Sequence, residues 1–196
     1  MIIFSRNRRL RTNESIRSLV RETVLTTNDF VMPMFVMEGE NTQEPIPSMP
    51  GIYRRTIDLT VKECKELIAL GVKAINIYMK VPENLKDNLG TEAWNKDGLM
   101  QRTIREIKNA IPEMIIMPDV ALDPYSIYGH DGIITNGQID NDATNDTLAR
   151  MSVSLAQEGA DIIAPSDMMD GRVAAIRQAL EETGHINVGI LSYAAK

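Results

Sequence analysis

Apolar positions along the chain follow two alternating rhythms. Short runs rich in Val, Ile and Met are separated by longer stretches in which apolar side chains return every three or four residues. The first rhythm is that of a buried strand and the second that of one helix face. Runs at 30–36 (FVMPMFV), 73–78 (KAINIY), 114–120 (MIIMPDV), 161–164 (DIIA) and 187–193 (NVGILSY) predict five strands. Pro33 removes one ladder donor from the first of them. Helices are predicted over 13–21, with Ile16, Leu19 and Val20 on one face, and from Thr60 to Leu70, where Thr60 and Glu63 suggest a capping box. Three more follow: 98–110, burying Met100, Ile104 and Ile107; 144–158, with Leu148, Met151 and Leu155; and 171–183, burying Val173, Ile176 and Leu180. Between these elements, 37–58 is Pro-rich and irregular, 81–96 is a loop, and a polar, helix-free stretch ends near Ala143.

Three of the helices stop at a glycine, Gly71, Gly159 or Gly184, and a Val/Ile-rich strand begins within a few residues. Helix followed at once by strand, repeated, is the signature of α/β architecture with parallel strands. Such strands close into an eightfold barrel or stay an open doubly wound sheet. No Gly-rich phosphate fingerprint follows the first strand, which favours the barrel. A closed barrel has eight strands and about 250 residues. The 196 residues here hold five strands, so the expectation is part of a (β/α)8 TIM barrel. Residues 1–28 read as an N-terminal arm with a short helix, and 29–196 as the partial barrel.

Composition narrows the classes. The hydrophobic content of 43% supports a real core, and no apolar run is long enough for a bilayer or a signal peptide. The expectation is a soluble cytoplasmic protein without a membrane partner. A lone cysteine, Cys64, allows neither an internal disulfide nor a cysteine-built zinc site. It falls in register with Val61, Leu67 and Ile68, as a core thiol does. A net charge of −6 argues against nucleic-acid binding. Arg6, Arg8, Arg9 and Arg11 nevertheless crowd the start, as in a solvated tail or an arm that contacts another subunit.

Candidate chemistry gathers in DVALDPYSIYGHDG, 119–132, where Asp119, Asp123 and Asp131 lie within thirteen positions beside His130. The stretch reads either as a functional loop at a strand's carboxyl end or as a solvated Asp/Gly turn. Barrel geometry adds weight to the first. Asp119 follows the third strand, Ser166 and Asp167 the fourth and Lys196 the fifth, and strand carboxyl ends form the catalytic face of such barrels. A rim lysine beside Ala194 and Ala195 can be desolvated, and its neutral amine can attack a ketone to form a Schiff base. The other reading of Lys196 is a solvated terminal side chain. His185, just past Gly184, reads as a surface residue.

Several segments also carry a resemblance. RRLRTNESIRSLVRET (8–23), MPGIYR (49–54), the 119–132 loop, APSDMMDGR (164–172) and ILSYAAK (190–196) resemble, in order, the porphobilinogen synthase (5-aminolevulinate dehydratase) family. The resemblance implies an eight-stranded barrel whose N-terminal arm embraces a neighbour in a homo-octamer. It implies condensation of two molecules of 5-aminolevulinate into porphobilinogen, for tetrapyrrole (heme) synthesis, through two lysine Schiff bases. Lys196 matches the first of those lysines, Asp119 an active-site carboxylate, and Ser166 and Asp167 residues lining the substrate pocket. In zinc-dependent members three cysteines stand where this chain has Ala121, Asp123 and Asp131. Carboxylates suit harder ions than thiolates do. The resemblance is therefore to the cysteine-free branch, with no zinc, no organic cofactor, and magnesium as an allosteric stabiliser whose ligands lie mostly elsewhere. Asp123 and Asp131 are its only metal candidates in this chain, and the place of His130 implies a hydrogen bond. The second lysine and the arginines that grip the substrate carboxylate have no counterpart in these 196 residues. The implied reading is a truncated chain without turnover of its own. Two other classes remain: a different Schiff-base barrel such as an aldolase, and a non-catalytic assembly fragment.

Overall fold

A computed structural model describes residues 5–193. Its strands are β1 (Val31–Met37), β2 (Gln43–Pro45), β3 (Tyr53–Arg55), β4 (Ala74–Lys80), β5 (Ile115–Val120), β6 (Ile133–Thr135), β7 (Gln138–Asp140), β8 (Ile162–Pro165) and β9 (Gly189–Ile190). The helices are α1 (Glu14–Leu19), α2 (Ile57–Ala69), α3 (Leu99–Ala110), α4 (Asn141–Gln157) and α5 (Arg172–Glu182). β1, β4, β5, β8 and β9 pair in that order and in parallel, as five successive staves of a barrel wall. The short β2–β3 hairpin adds to the free side of β1, with β3 parallel to it.

Strand alternation sorts the side chains. Met34 and Val36 of β1, Ile75, Ile77 and Met79 of β4, Ile116 of β5 and Ile163 of β8 are buried. They pack with Cys64 of α2, Ile104 and Ile107 of α3, Leu148 and Met151 of α4, and Ile176 of α5 in one core. Side chains at the alternate positions, Phe35, Asn76, Tyr78 and Asp119 among them, stand on the other face of the sheet.

The helix ends are read correctly from the glycines. At α2, Gly71 takes φ 88°, and the Val72 amide donates to the Leu67 carbonyl at 2.9 Å, as in a Schellman cap. Gly159 and Gly184 repeat the device, through Ala160 N to Leu155 O and His185 N to Leu180 O.

Several expectations need correction. The capping box at Thr60 and Glu63 is absent: α2 begins at Ile57, the Thr60 hydroxyl donates to the Thr56 carbonyl, and Glu63 pairs with Arg55 at 2.7 Å. Strand geometry within 37–58 was hidden by its prolines, and β2 and β3 lie there. The helix-free stretch before Ala143 holds the β6–β7 hairpin, turned at Asn136 and Gly137, both with positive φ. Such an Asn-Gly pair is the usual two-residue hairpin turn. α4 starts earlier than residue 144, because the Asp140 carboxylate accepts the Ala143 amide and caps it. Val173 is 40% exposed rather than buried, on the solvent side of α5. β9 is half-exposed at the sheet edge and pairs over Gly189–Ile190, although Leu191 and Tyr193 continue to bond the β8 side at 2.8 and 3.2 Å. His185 is half-buried. In the arm, Leu19 is 84% exposed, so the apolar side of α1 does not pack on this chain.

Candidate active site

A cleft of about 690 Å³ opens at the carboxyl ends of β1, β4 and β5. Phe35, Tyr78, Asp119, Asp123 and Tyr125 line it, with Arg54, Lys80 and Lys86 at its walls. Lys80 is held by Glu44 at 2.7 Å and Lys86 by Glu83 at 2.6 Å.

Asp119 comes from the end of β5, in register with Ala164 of β8, and is buried. Two phenols, Tyr78 and Tyr125, line the cleft with it and feel its charge. Burial, the bond to Tyr193 and the Asp119 charge together hold the Tyr78 phenol well above its usual acidity range. Tyr125 is pushed the same way by burial first, then by Asp119, Glu92 and Asp123. Both phenols therefore keep their protons at neutral pH. The Tyr78 ring stacks on Phe35, with centroids 5.3 Å apart.

A second acidic group forms behind the cleft. Asp167 follows β8 and is buried; its Oδ1 accepts the Met169 amide at 2.8 Å and its Oδ2 lies 3.1 Å from Arg172 Nε. Burial raises its carboxyl above the ordinary value, and the Arg172 charge offsets this while Asp131 adds to it. The 167–172 loop is pinned further by Asn141 and Asn145 of α4, whose amides donate to the Asp170 carbonyl at 3.1 and 2.7 Å. The Ser166 amide extends the ladder to the Val120 carbonyl.

The structure thus brings Asp119 and Asp123 to one cleft and sets Asp131 beside Asp167. Lys196, the candidate imine former, lies outside the described residues. The last described residue, Tyr193, reaches the same mouth: Asn76 Nδ2 donates to its hydroxyl at 2.6 Å and Tyr78 Oη lies 3.0 Å away. His130 stacks on Tyr128, with centroids 5.9 Å apart, and its Nδ1 makes no hydrogen bond among the described residues. Among the described residues no three His, Cys, Asp or Glu side chains gather into a set that could hold a metal ion.

Asn76, Tyr78, Tyr193 and Arg172 were not singled out as site residues from sequence. The first two were within reach: in AINIYMK, Asn76, Tyr78 and Lys80 alternate with Ile75, Ile77 and Met79, and a period of two puts the polar set on the face away from the helices.

The family model of delta-aminolevulinic acid dehydratase matches residues 4–196. The chain belongs to that family. It is 44% identical over 193 residues to a delta-aminolevulinic acid dehydratase of Bacillus subtilis, covering 98% of this chain and 59% of the relative. It is 49% identical over 193 residues to a chloroplastic member of Arabidopsis thaliana, covering 97% and 45%. Its fold superposes with a TM-score of 0.94, at 43% identity, on the Toxoplasma gondii dehydratase, also called porphobilinogen synthase, solved in complex with the reaction product porphobilinogen. That match covers 98% of this chain and 55% of the other. The chain spans about half the length of the curated relatives it matches. Its five parallel staves fit the expected partial TIM barrel of that family. No helix among the described residues is long and apolar enough to cross a membrane.

Proposed function

We propose that the protein works as a porphobilinogen synthase, joining two molecules of 5-aminolevulinate into porphobilinogen in heme synthesis. One observation carries the reading: a fold of TM-score 0.94 to a chain holding porphobilinogen, with a buried carboxylate, Asp119, at the same barrel mouth toward which the segment before Lys196 runs. Lys196 attacks the ketone of one substrate molecule, and loss of water leaves an imine. Protonated, that imine draws electrons from the adjacent carbon and eases its deprotonation or attack. Asp119, which shares the cleft with the protonated phenols of Tyr78 and Tyr125, accepts or orients protons beside the imine. Ser166 and Asp167 bound the substrate pocket on the β8 side, with Arg172 keeping the 167–172 loop in place.

In this reading the 196 residues supply the first imine, while the second lysine and the carboxylate-gripping arginines belong to the family's remaining length. Magnesium acts on assembly through donors other than these residues and enters no step. The arm, with Leu19, Val24 and Leu25 exposed by 84%, 65% and 71%, covers a neighbouring subunit in a cytoplasmic octamer.

The test is reductive trapping. Borohydride added to the protein with 5-aminolevulinate is expected to fix the reduced substrate on Lys196, mapped by peptide mass. Labelling of surface lysines such as Lys62 alone, or no labelling, would contradict the reading.

A further inference from the structure

β4 and β9 are not neighbours; β5 and β8 lie between them. In a flat sheet, strands three places apart are about 14 Å from each other and their side chains stand side by side. Yet Asn76 and Tyr78 of β4 bond directly to Tyr193, three residues past β9. The wall must curl for this to happen, and the contact is a strut across the barrel's interior. Asn76 is 5% exposed, and a buried amide is costly unless it is bonded.

Resting on the function proposed above, the geometry points to Asn76, Tyr78 and Tyr193 as a positioning triad: it fixes the chain leaving β9 as far as Tyr193, three residues before Lys196, and leaves one phenol proton uncommitted. The proton count is simple. The Asn76 amide fills one lone pair of the Tyr193 oxygen. The bond between the two phenols uses one of their two protons, whichever ring donates it. The other remains to be offered to a neighbour or a bound carbonyl oxygen. Asn76 and Tyr78 act through Tyr193 and need not touch substrate themselves.

Two measurements on the whole chain test the triad, using Asn76→Leu, which keeps the branching and the number of side-chain heavy atoms, and Tyr78→Phe, which keeps the stack on Phe35. Amide hydrogen exchange is expected to rise about five- to tenfold at Leu191 and Tyr193, the worth of one buried hydrogen bond, with Ile75 and Ile77 unchanged. The rate of borohydride trapping at Lys196 is expected to fall by a similar factor while its final extent stays the same, since a merely unfolded fraction would lower the extent instead. Because Asn76 works through Tyr193, Asn76→Leu should be silent in a Tyr193→Phe background. Unchanged exchange at Leu191 and Tyr193, or an undiminished effect of Asn76→Leu in that background, would overturn the triad. Absent trapping in the unaltered chain would count against the proposed function alone, and the exchange result would still decide the triad.

Discussion

Cys64 sits fully buried on α2, its sulfur 3.7 Å from that of Met34. Burial pushes its thiol up to about 12, so at pH 8 it is a neutral core group. It should resist iodoacetamide in the native protein and react fully in urea; mass spectrometry reads both. Asp167 behaves differently, because its carboxyl is buried against an arginine. A carboxyl whose folded-state value lies above the ordinary 3.8 binds more protons folded than unfolded. Its effect is therefore absent below 3.8, and stability falls as pH rises from there through the raised value, then levels. Arg172→Ala removes the offsetting charge and should cost about 3 kcal/mol at neutral pH, the cost of a stranded buried charge. Urea midpoints of the two proteins should converge as pH falls to 3.8 and diverge as it rises. The core thiol was legible from its register with Val61, Leu67 and Ile68. The partners of Asp167 were less so, since APSDMMDGR names Arg172 without saying which way its side chain folds.

At the scale of elements, the sequence was most legible where one local device decides the outcome. Glycines at helix ends, and Ile or Met at periods of two and four, placed five strands and most helices within a few residues. It was least legible where a distant partner decides. Thr60 and Glu63 have the spacing of a capping box, but the helix starts earlier and Glu63 is claimed by Arg55 of β3. β2 and β3 pair only because the edge of β1 is there to receive them, which no window of 37–58 reveals. The inner face of α3 is a sharper case, with Ile104 and Ile107 fully buried. Ile104→Ala should cost about 3 kcal/mol, read as a lower urea midpoint with an unchanged slope.

On the scale of the whole molecule, five parallel staves curl enough to bring the exit of β9 onto β4, and the polar ends of the strands meet at one mouth. The exposed arm side chains stand outside that wall. If they cover a second subunit, Leu19→Lys with Leu25→Lys should shift sizing chromatography of the assembled protein to smaller particles, with unchanged far-ultraviolet dichroism. An identical elution volume would argue against the arm as an assembly element. The barrel class was legible from the helix–strand rhythm, whereas the curl that joins Tyr193 to Asn76, 117 positions away, follows from tertiary packing that no local pattern encodes. The central claim is that groups far apart along the chain converge on one keto-acid site. A crystal structure of the borohydride-reduced adduct with 5-aminolevulinate tests it most directly. The trapped carbons should lie in the cleft bounded by Phe35, Tyr78 and Asp119; an adduct on the outer helical face, or at the amino ends of the strands, would contradict it.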